Sequence, residues 1–343
     1  MDWSQGYTST WRLYYVDQST WGDGDEIQNI NSISVTKDAD SDLIEDANIS
    51  LDSDIPIKGY VRIVLEAKNT TGASRSAIGT FLVTSPKRSI DISLTTRDLE
   101  CYSVLKPASD KLMPIGWYFP EGGDPIAGAC DLLQQALKCP VVMVESGLKT
   151  ENIKVAENNE TYLSMALYLL YDTGWYIHIS PLGEVTIKEK TDEIVTTFDT
   201  YDNDVITTDT ISDESDIFDI PNILRVTDGQ GNYEVIKNED EQSETSLENL
   251  GWEKWASESI TLDGEKTLLG EGIERMEELS KSKRKITYKR EYDPNVNVND
   301  VALYLLPQQG IIGTFRIISQ SIEAGDGALI SEVAEFESEN WRS

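Results

Sequence analysis

The sequence has few of the residues from which most catalytic and metal sites are built. It contains one histidine, His178, and three cysteines, Cys101, Cys130 and Cys139, with no Cys-x-x-Cys pair among them. A hydrolytic triad or a Cys/His pair would have to use His178, and one His with three scattered Cys offers no zinc-ligand spacing. No Gly-x-Ser-x-Gly nucleophile turn is present either. Alternation in Trp175–Ser180 puts Trp175, Ile177 and Ile179 on one face of a strand and His178 on the other, expected to be wet. The odd cysteine count argues against a disulfide framework and for a reducing cytoplasm. Basic residues are scarce as well: 29 Lys plus Arg stand against 61 Asp plus Glu, a formal charge of −32. Such a surface repels nucleic-acid phosphates and anionic lipid. No apolar run approaches the roughly 18 residues of a membrane span. Met1–Gln5 lacks the basic-then-apolar pattern of a signal peptide, so neither membrane insertion nor general export is expected.

What is present is material for cores. Hydrophobic residues make up 39% of 343, with 8 Trp and 15 Tyr against 6 Phe, which predicts two or three folded domains. With 61 acids some close pairs are inevitable. Asp23/Asp25 and Asp202/Asp204 therefore say nothing about glycoside hydrolysis. The Asp-x-Asp runs at Asp23-Gly24-Asp25, Asp40-Ser41-Asp42 and Asp52-Ser53-Asp54 complete no EF-hand loop and read as solvated turns. Acids follow Gly22-x-Gly24, where a phosphate loop would need the opposite charge. The expectation is a non-enzymatic protein with no cofactor and no metal.

Residues 11–99 read as short strands separated by turn residues, among them Trp11–Val16, Ile33–Thr36, Ala47–Leu51, Tyr60–Leu65, Thr80–Thr84 and Ile90–Thr95. The character then changes. Asp124-Pro125 is a strong helix start, followed by Ile126, Ala129, Leu133, Ala136 and Leu137 at helical spacing. A second helix is predicted over 161–172, with Gly174 behind it and then a hairpin: Trp175–Ser180, the turn Pro181-Leu182-Gly183, and Glu184–Lys188. Between Asp192 and Ile220 lie ten acids and no Lys or Arg, punctuated by Thr, Ile and Val, which suggests strands at a charged surface. Asn238–Glu248, also acidic, reads as a mobile loop. The one basic cluster, Lys281, Lys283, Arg284, Lys285, Lys289 and Arg290, follows a helical pattern over Leu268–Leu279. It is expected to complement that helix dipole and to meet acids of a neighbouring subunit.

The most informative feature is a repeat. Ile78-Gly79-Thr80-Phe81-Leu82-Val83-Thr84-Ser85 returns as Ile312-Gly313-Thr314-Phe315-Arg316-Ile317-Ile318-Ser319. Strand-like runs precede and follow each copy at similar distances. Gly79, Phe81, Gly313 and Phe315 should therefore occupy equivalent places in two copies of one antiparallel β-module. Three such chains would present six quasi-equivalent modules.

The order of β-module, small α+β domain with a Gly-Trp hairpin, and second β-module ending in Ile-Gly-Thr-Phe-Arg-Ile-Ile-Ser resembles the hub proteins of phage tails and baseplates. The likeness rests on Ala47–Leu65, Ile78–Ser85, Thr161–Lys188 and Pro294–Ser319. It implies a mainly β fold with two tube-like antiparallel β-barrels, a small α+β domain and an inserted subdomain. The corresponding boundaries are 1–97 for the first barrel and 98–195 for the α+β domain. The second barrel takes 196–237 with 281–343, and 238–280 is an acidic insertion. The resemblance further implies a homotrimeric ring joining a sixfold tail tube to a threefold spike. Its partners would be itself, a tube or distal tube protein, a central spike protein and other baseplate proteins. DNA would be a cargo that does not adhere to an acidic channel. The place would be a virion tail or tail-like particle assembled in the host cytoplasm. Arg62, Arg316 and the basic residues Lys281, Lys283, Arg284 and Lys285 are the candidate subunit-interface partners. A calcium-dependent glycan-binding β-sandwich, using exposed aromatics such as Trp117-Tyr118, is the alternative.

Overall fold

In a computed structural model, the described residues are 7–90, 95–171, 173–199, 206–216, 220–228, 231–240, 243, 245–260, 267–279, 283–325 and 328–337. Lys281, the pair Asp202/Asp204 and residues 91–94 of the run Ile90–Thr95 lie outside them.

The alternating N-terminal runs become β1 (Thr8–Val16), β2 (Asp23–Ile27), β3 (Ile30–Asp38), β4 (Glu45–Leu51), β5 (Gly59–Asn69), β6 (Gly72–Ile90) and β7 (Thr95–Ser103). They pair antiparallel in the order β2-β1-β5-β6-β7-β4-β3. The inward residues, among them Leu13, Val35, Ile49, Ile63, Phe81 and Leu99, meet in one core. Strands from both ends of the order feed that core, so the sheet must curl around it.

A helical segment follows: α1 (Lys106–Asp110), β8 (Tyr118–Phe119), α2 (Pro125–Ala136), β9 (Lys154–Val155), α3 (Tyr162–Leu170), β10 (Trp175–Ile179) and β11 (Val185–Glu189). The predicted start of α2 is in place. Asp124 Oδ1 accepts from the Ile126 and Ala127 amides, and Pro125 sits where no donor is needed. Thr161 and Ser164 cap α3 reciprocally. Both helices and the β10–β11 hairpin share a core that includes Leu133, Met165, Ile177 and Ile187.

The chain continues with β12 (Ile194–Asp199), β13 (Ile206–Asp216), β14 (Ile223–Thr227), β15 (Tyr233–Lys237), α4 (Leu247–Leu250), β16 (Trp255–Ser259), α5 (Leu268–Leu279), β17 (Lys283–Glu291), β18 (Val301–Leu306), β19 (Ile311–Glu323) and β20 (Leu329–Glu337). Strands β14 and β15 do not pair with the second β-module. They form a three-stranded sheet with β16, covered by α5 through Met276 on Leu224, Val226 and Ile236. The second module is β12-β18-β19-β20-β17-β13, around Phe198, Tyr288, Tyr304 and Phe315. Among the described residues, the strand order of each module is an open path that hydrogen bonds do not close.

Four local expectations change. Asp23-Gly24-Asp25 is solvent-exposed but forms part of strand β2 and not a turn, with Asp23 meeting both Arg62 and Arg75. From Lys283 on, the basic run is strand β17 and not the last turn of a helix, since period-two alternation puts Ile286 and Tyr288 inward. The described part of Asn238–Glu248 is held in place and not loose. Asn238 is buried and its Nδ2 donates to Ser243 and Thr245. His178 is not on a wet face. It is half-buried, edge-on to Tyr176 at a centroid distance of 6.4 Å.

Candidate assembly surface

The two modules correspond strand for strand. If each module's six strands are numbered along the chain, β1, β3, β4, β5, β6, β7 and β12, β13, β17, β18, β19, β20, both give the order 1-4-5-6-3-2. The outermost pair differs in direction, β1 running antiparallel to β5 and β12 parallel to β18. Register agrees in detail. Phe81 lies opposite Val61, with Gly79 opposite Ile63. Phe315 lies opposite Ala302, with Gly313 opposite Tyr304. Each long strand then carries one extra residue at the same distance past the Phe: Thr84 between Val83 and Ser85, and Ile318 between Ile317 and Ser319. A shared bulge at a shared offset fixes the alignment of the repeats residue by residue.

Both Phe side chains are buried. At Gly79 an added Cβ would lie 2.5 Å from Cζ of Phe81, so the ring folds back over the glycine. At Gly313, φ is +149° and an added Cβ would stand 3.0 Å from Cε2 of Phe336. In both repeats the missing side chain makes room for an aromatic ring.

The repeats are joined inside the chain by a strand ladder. Past the end of β18, β19 pairs with β3, from Ser319 opposite Asp38 to Glu323 opposite Ser34. The ladder is bounded by the Ala39 amide donating to Ile318 O at 2.8 Å and the Ala324 amide donating to Ile33 O at 2.8 Å. Ile322, Ala328 and Ile330 consequently enter the core of the first repeat. Covering β3 buries its charges. Lys37 and Glu45, opposite each other on β3 and β4, are both buried, and Glu45 Oε1 has no hydrogen-bond partner. Burial pushes the Glu45 carboxyl up to about 7 despite the nearby Lys37, whose own ammonium burial pushes down. Burial, with Lys188 and Lys37 nearby, pushes His178 down to about 4.

The candidate interface arginines all meet groups of their own chain. Arg62, buried in β5, donates to Thr80 Oγ1 (2.9 Å), Asp23 Oδ1 (2.6 Å), Trp21 O (3.1 Å) and Leu182 O (2.9 Å). It thereby locks the turn of the β10–β11 hairpin onto the first repeat. Arg316 donates to Asn299 O (2.8 Å), Thr191 O (3.1 Å) and Asp192 Oδ1 (2.7 Å). Arg284 takes Asp213 at 2.5 Å and Lys285 takes Glu335 at 3.2 Å. Lys283 begins β17 opposite Glu337.

No family model and no curated protein matches the chain. Among solved structures, a tail protein from Neisseria meningitidis MC58 superposes with a TM-score of 0.67 at 12% identity, over 97% of both chains. The 43 kDa tail protein of prophage MuSo2 from Shewanella oneidensis gives a TM-score of 0.65 at 11% identity, over 97% of this chain and 98% of that one. The fold is that of phage tail proteins. Prophage tail protein gp18 from Listeria monocytogenes EGD-e shares it, with a TM-score of 0.53 at 13% identity over 97% of this chain and 95% of its own.

Within this tail-protein fold, the side chains that most often carry chemistry lie away from solvent. The three thiols are buried, and burial pushes Cys101 and Cys139 up to about 12. Among the described residues, no three His, Cys, Asp or Glu side chains cluster to hold a metal. Tyr118 is exposed while Trp117 packs on the middle core, so the pair offers no flat aromatic platform. What sequence reasoning missed is polar and buried: Lys37 and Glu45 at the junction, and Arg290, Gln320 and Glu332 in the second repeat. A signal for Glu332 existed. It falls on the inward set of β20 with Ile330 and Ala334, where a carboxylate has to have a buried partner.

Proposed function

We propose that the chain is a structural hub subunit of a phage tail or tail-like particle, working as a homotrimer. The reading rests on the duplicated six-strand module, joined within the chain by the β19–β3 ladder, in a chain with the fold of phage tail proteins. Two quasi-equivalent modules per subunit let three subunits present six to a sixfold tube while remaining threefold toward a spike. The partners are then the tube or distal tube protein, the central spike protein and neighbouring baseplate proteins. The division of labour is one module from the N-terminal strands, one from β12, β13 and β17–β20, with the helical segment and the β14–β16/α5 insertion outside the ring. With a charge of −32, the subunit favours a channel that phosphate backbones traverse without adhering, since like charges repel across a screening length of about 8 Å. No chemistry is assigned to it, and assembly takes place in the host cytoplasm.

Light scattering on the purified chain tests the reading. A mass three times 38.4 kDa is expected, with a ring in projection images. A monomer at every concentration would remove the basis for a symmetry adaptor.

A further inference from the structure

The ladder that joins the two repeats inside the chain has a counterpart that the chain leaves unfilled. Within the chain, the first repeat's outer strand β3 is covered by the late part of β19. The strands equivalent to these two are β13 and the late part of β6. Strand β13 ends the sheet, paired on one side with β17. On the side where β5 pairs with β6, the ladder stops at Val83, and among the described residues β7 is the one strand paired with residues 84–90. Among the described residues, both edges lack a strand partner.

The shared register states which residues would meet. Ser85 corresponds to Ser319, because the bulges at Thr84 and Ile318 align. Asp213 corresponds to Val35: Val35 faces Ala47 and then Cys101, just as Asp213 faces Ile286 and then Ala334. The pairs of the internal ladder then translate directly. Ser321 opposite Thr36 becomes Lys87 opposite Glu214, and Ile322 opposite Val35 becomes Arg88 opposite Asp213. We infer that the β6 edge Ser85–Ser89 of one copy of this chain takes the β13 edge Ser212–Asp216 of a second copy, antiparallel, with Lys87 facing Glu214 and Arg88 facing Asp213. This deepens the proposed ring and rests on it for the number of copies.

Charge supports the assignment. The register was fixed by backbone pairing alone, yet it sets two cations against two carboxylates in a chain with a charge of −32. Lys87, Arg88, Asp213 and Glu214 are all exposed. Arg88 already meets Asp54 at 2.5 Å and Asp213 meets Arg284 at 2.5 Å, so docking would extend two existing pairs into an alternating row. Pro86 stands where the internal ladder has Gln320 and has no N–H to donate. The contact is thus one donor short, and an edge with a proline also discourages indiscriminate strands. Selectivity falls on the two charge pairs. The contact is heterologous, one edge of each copy used once, as a closed ring requires.

Because the Ala39 amide bonds Ile318 O, Ser319/Asp38 and Ser321/Thr36 are the non-hydrogen-bonded pairs of the internal ladder. Lys87/Glu214 inherits that geometry, with Cα atoms about 4.5 Å apart, within disulfide range. The full chain carrying Lys87→Cys and Glu214→Cys together should, on mild oxidation, form chain-to-chain disulfides visible as dimer and trimer bands on a non-reducing gel. Neither single variant should, because the native thiols are buried. Lys87→Glu or Glu214→Lys alone should weaken self-association about threefold or more, and the double reversal should restore it. A trimer by light scattering in which the double-cysteine chain gives no such bands overturns the edge pairing and leaves the ring intact. A monomer without bands overturns both.

Discussion

The two repeats share a strand order but not an interior. In the first, the positions on β4, β7 and β5 are Ile49, Leu51, Leu99 and Ile63, all buried and all aliphatic. The aligned positions in the second are Tyr288, Arg290, Glu332 and Tyr304, equally buried. Arg290 holds Glu332 through Nε (2.7 Å) and a terminal nitrogen (2.5 Å), and Tyr288 donates to the same carboxylate at 2.5 Å. The hydroxyls of Tyr288 and Tyr304 are 2.5 Å apart, and Gln320 Nε2 reaches Glu332 Oε1 at 2.7 Å. Rings of Phe198, Phe315 and Phe336 fill the rest. Burial together with the Glu332 carboxylate pushes both phenols upward, so they stay neutral donors. Strand order therefore depends on period-two patterning, with the polar groups of the second interior paired to one another, and not on which side chains meet.

The largest effect should come from breaking that contrast on one side. Glu332→Leu or Arg290→Leu alone leaves a buried charge without its partner and should cost about 3–5 kcal/mol in urea unfolding. The pair Arg290→Leu with Glu332→Leu copies the aliphatic solution of the first repeat and should recover most of the loss. If the double variant is as unstable as either single one, the aligned positions are not interchangeable and the equivalence of the interiors fails.

A smaller effect separates the two glycines. Gly79→Ala and Gly313→Ala should each destabilise by about 1–3 kcal/mol, for different reasons. At Gly79 the obstacle is the Phe81 ring, so adding Phe81→Leu should make the alanine cheaper. At Gly313 the backbone itself, at φ +149°, disfavours a side chain, so trimming Phe336 should help less. Equal rescue at both sites would show that ring crowding alone decides.

Much of this was legible in the sequence because it depends on local pattern. The Ile-Gly-Thr-Phe repeat, the Asp124-Pro125 start and the Trp175 hairpin each carry their signal within a few residues. Strand β2 was missed because Asp23-Gly24-Asp25 looks like a turn until Arg62 and Arg75, distant in sequence, arrive to neutralise it. The basic run was given to a helix end because its alternation, Ile286 and Tyr288 inward against Lys285, Lys289 outward, competes with a helical stretch just before it. His178 cannot be placed by alternation, which says which residues share a face and not whether that face meets water. The β19–β3 ladder, 285 residues apart at Ser321 and Thr36, has no local signal at all, since edge pairing depends on where a strand outruns its neighbour.

The smallest effect concerns that ladder, which buries Lys37 and Glu45 in the first repeat. The aligned Ser215 and Arg284 lie on β13, whose outer edge no strand covers among the described residues, and on its inner neighbour β17. Glu45, raised to about 7 by burial, holds a proton in the folded state that the unfolded chain has released by about pH 4.5. Its contribution is present at low pH and is lost as pH rises through 7. His178, pushed down to about 4 by burial, has the opposite sign: its contribution is present above pH 6.5 and is lost as pH falls toward 4. Between pH 4.5 and 6.5 the two slopes oppose each other. Relative to the wild type, Glu45→Gln should make stability rise with pH across this window, and His178→Gln should make it fall, each by about 1–2 kcal/mol. Urea midpoints at pH 4.5, 5.5 and 6.5 measure the tilt. Parallel curves for all three proteins would mean that these two groups are not held away from water in solution.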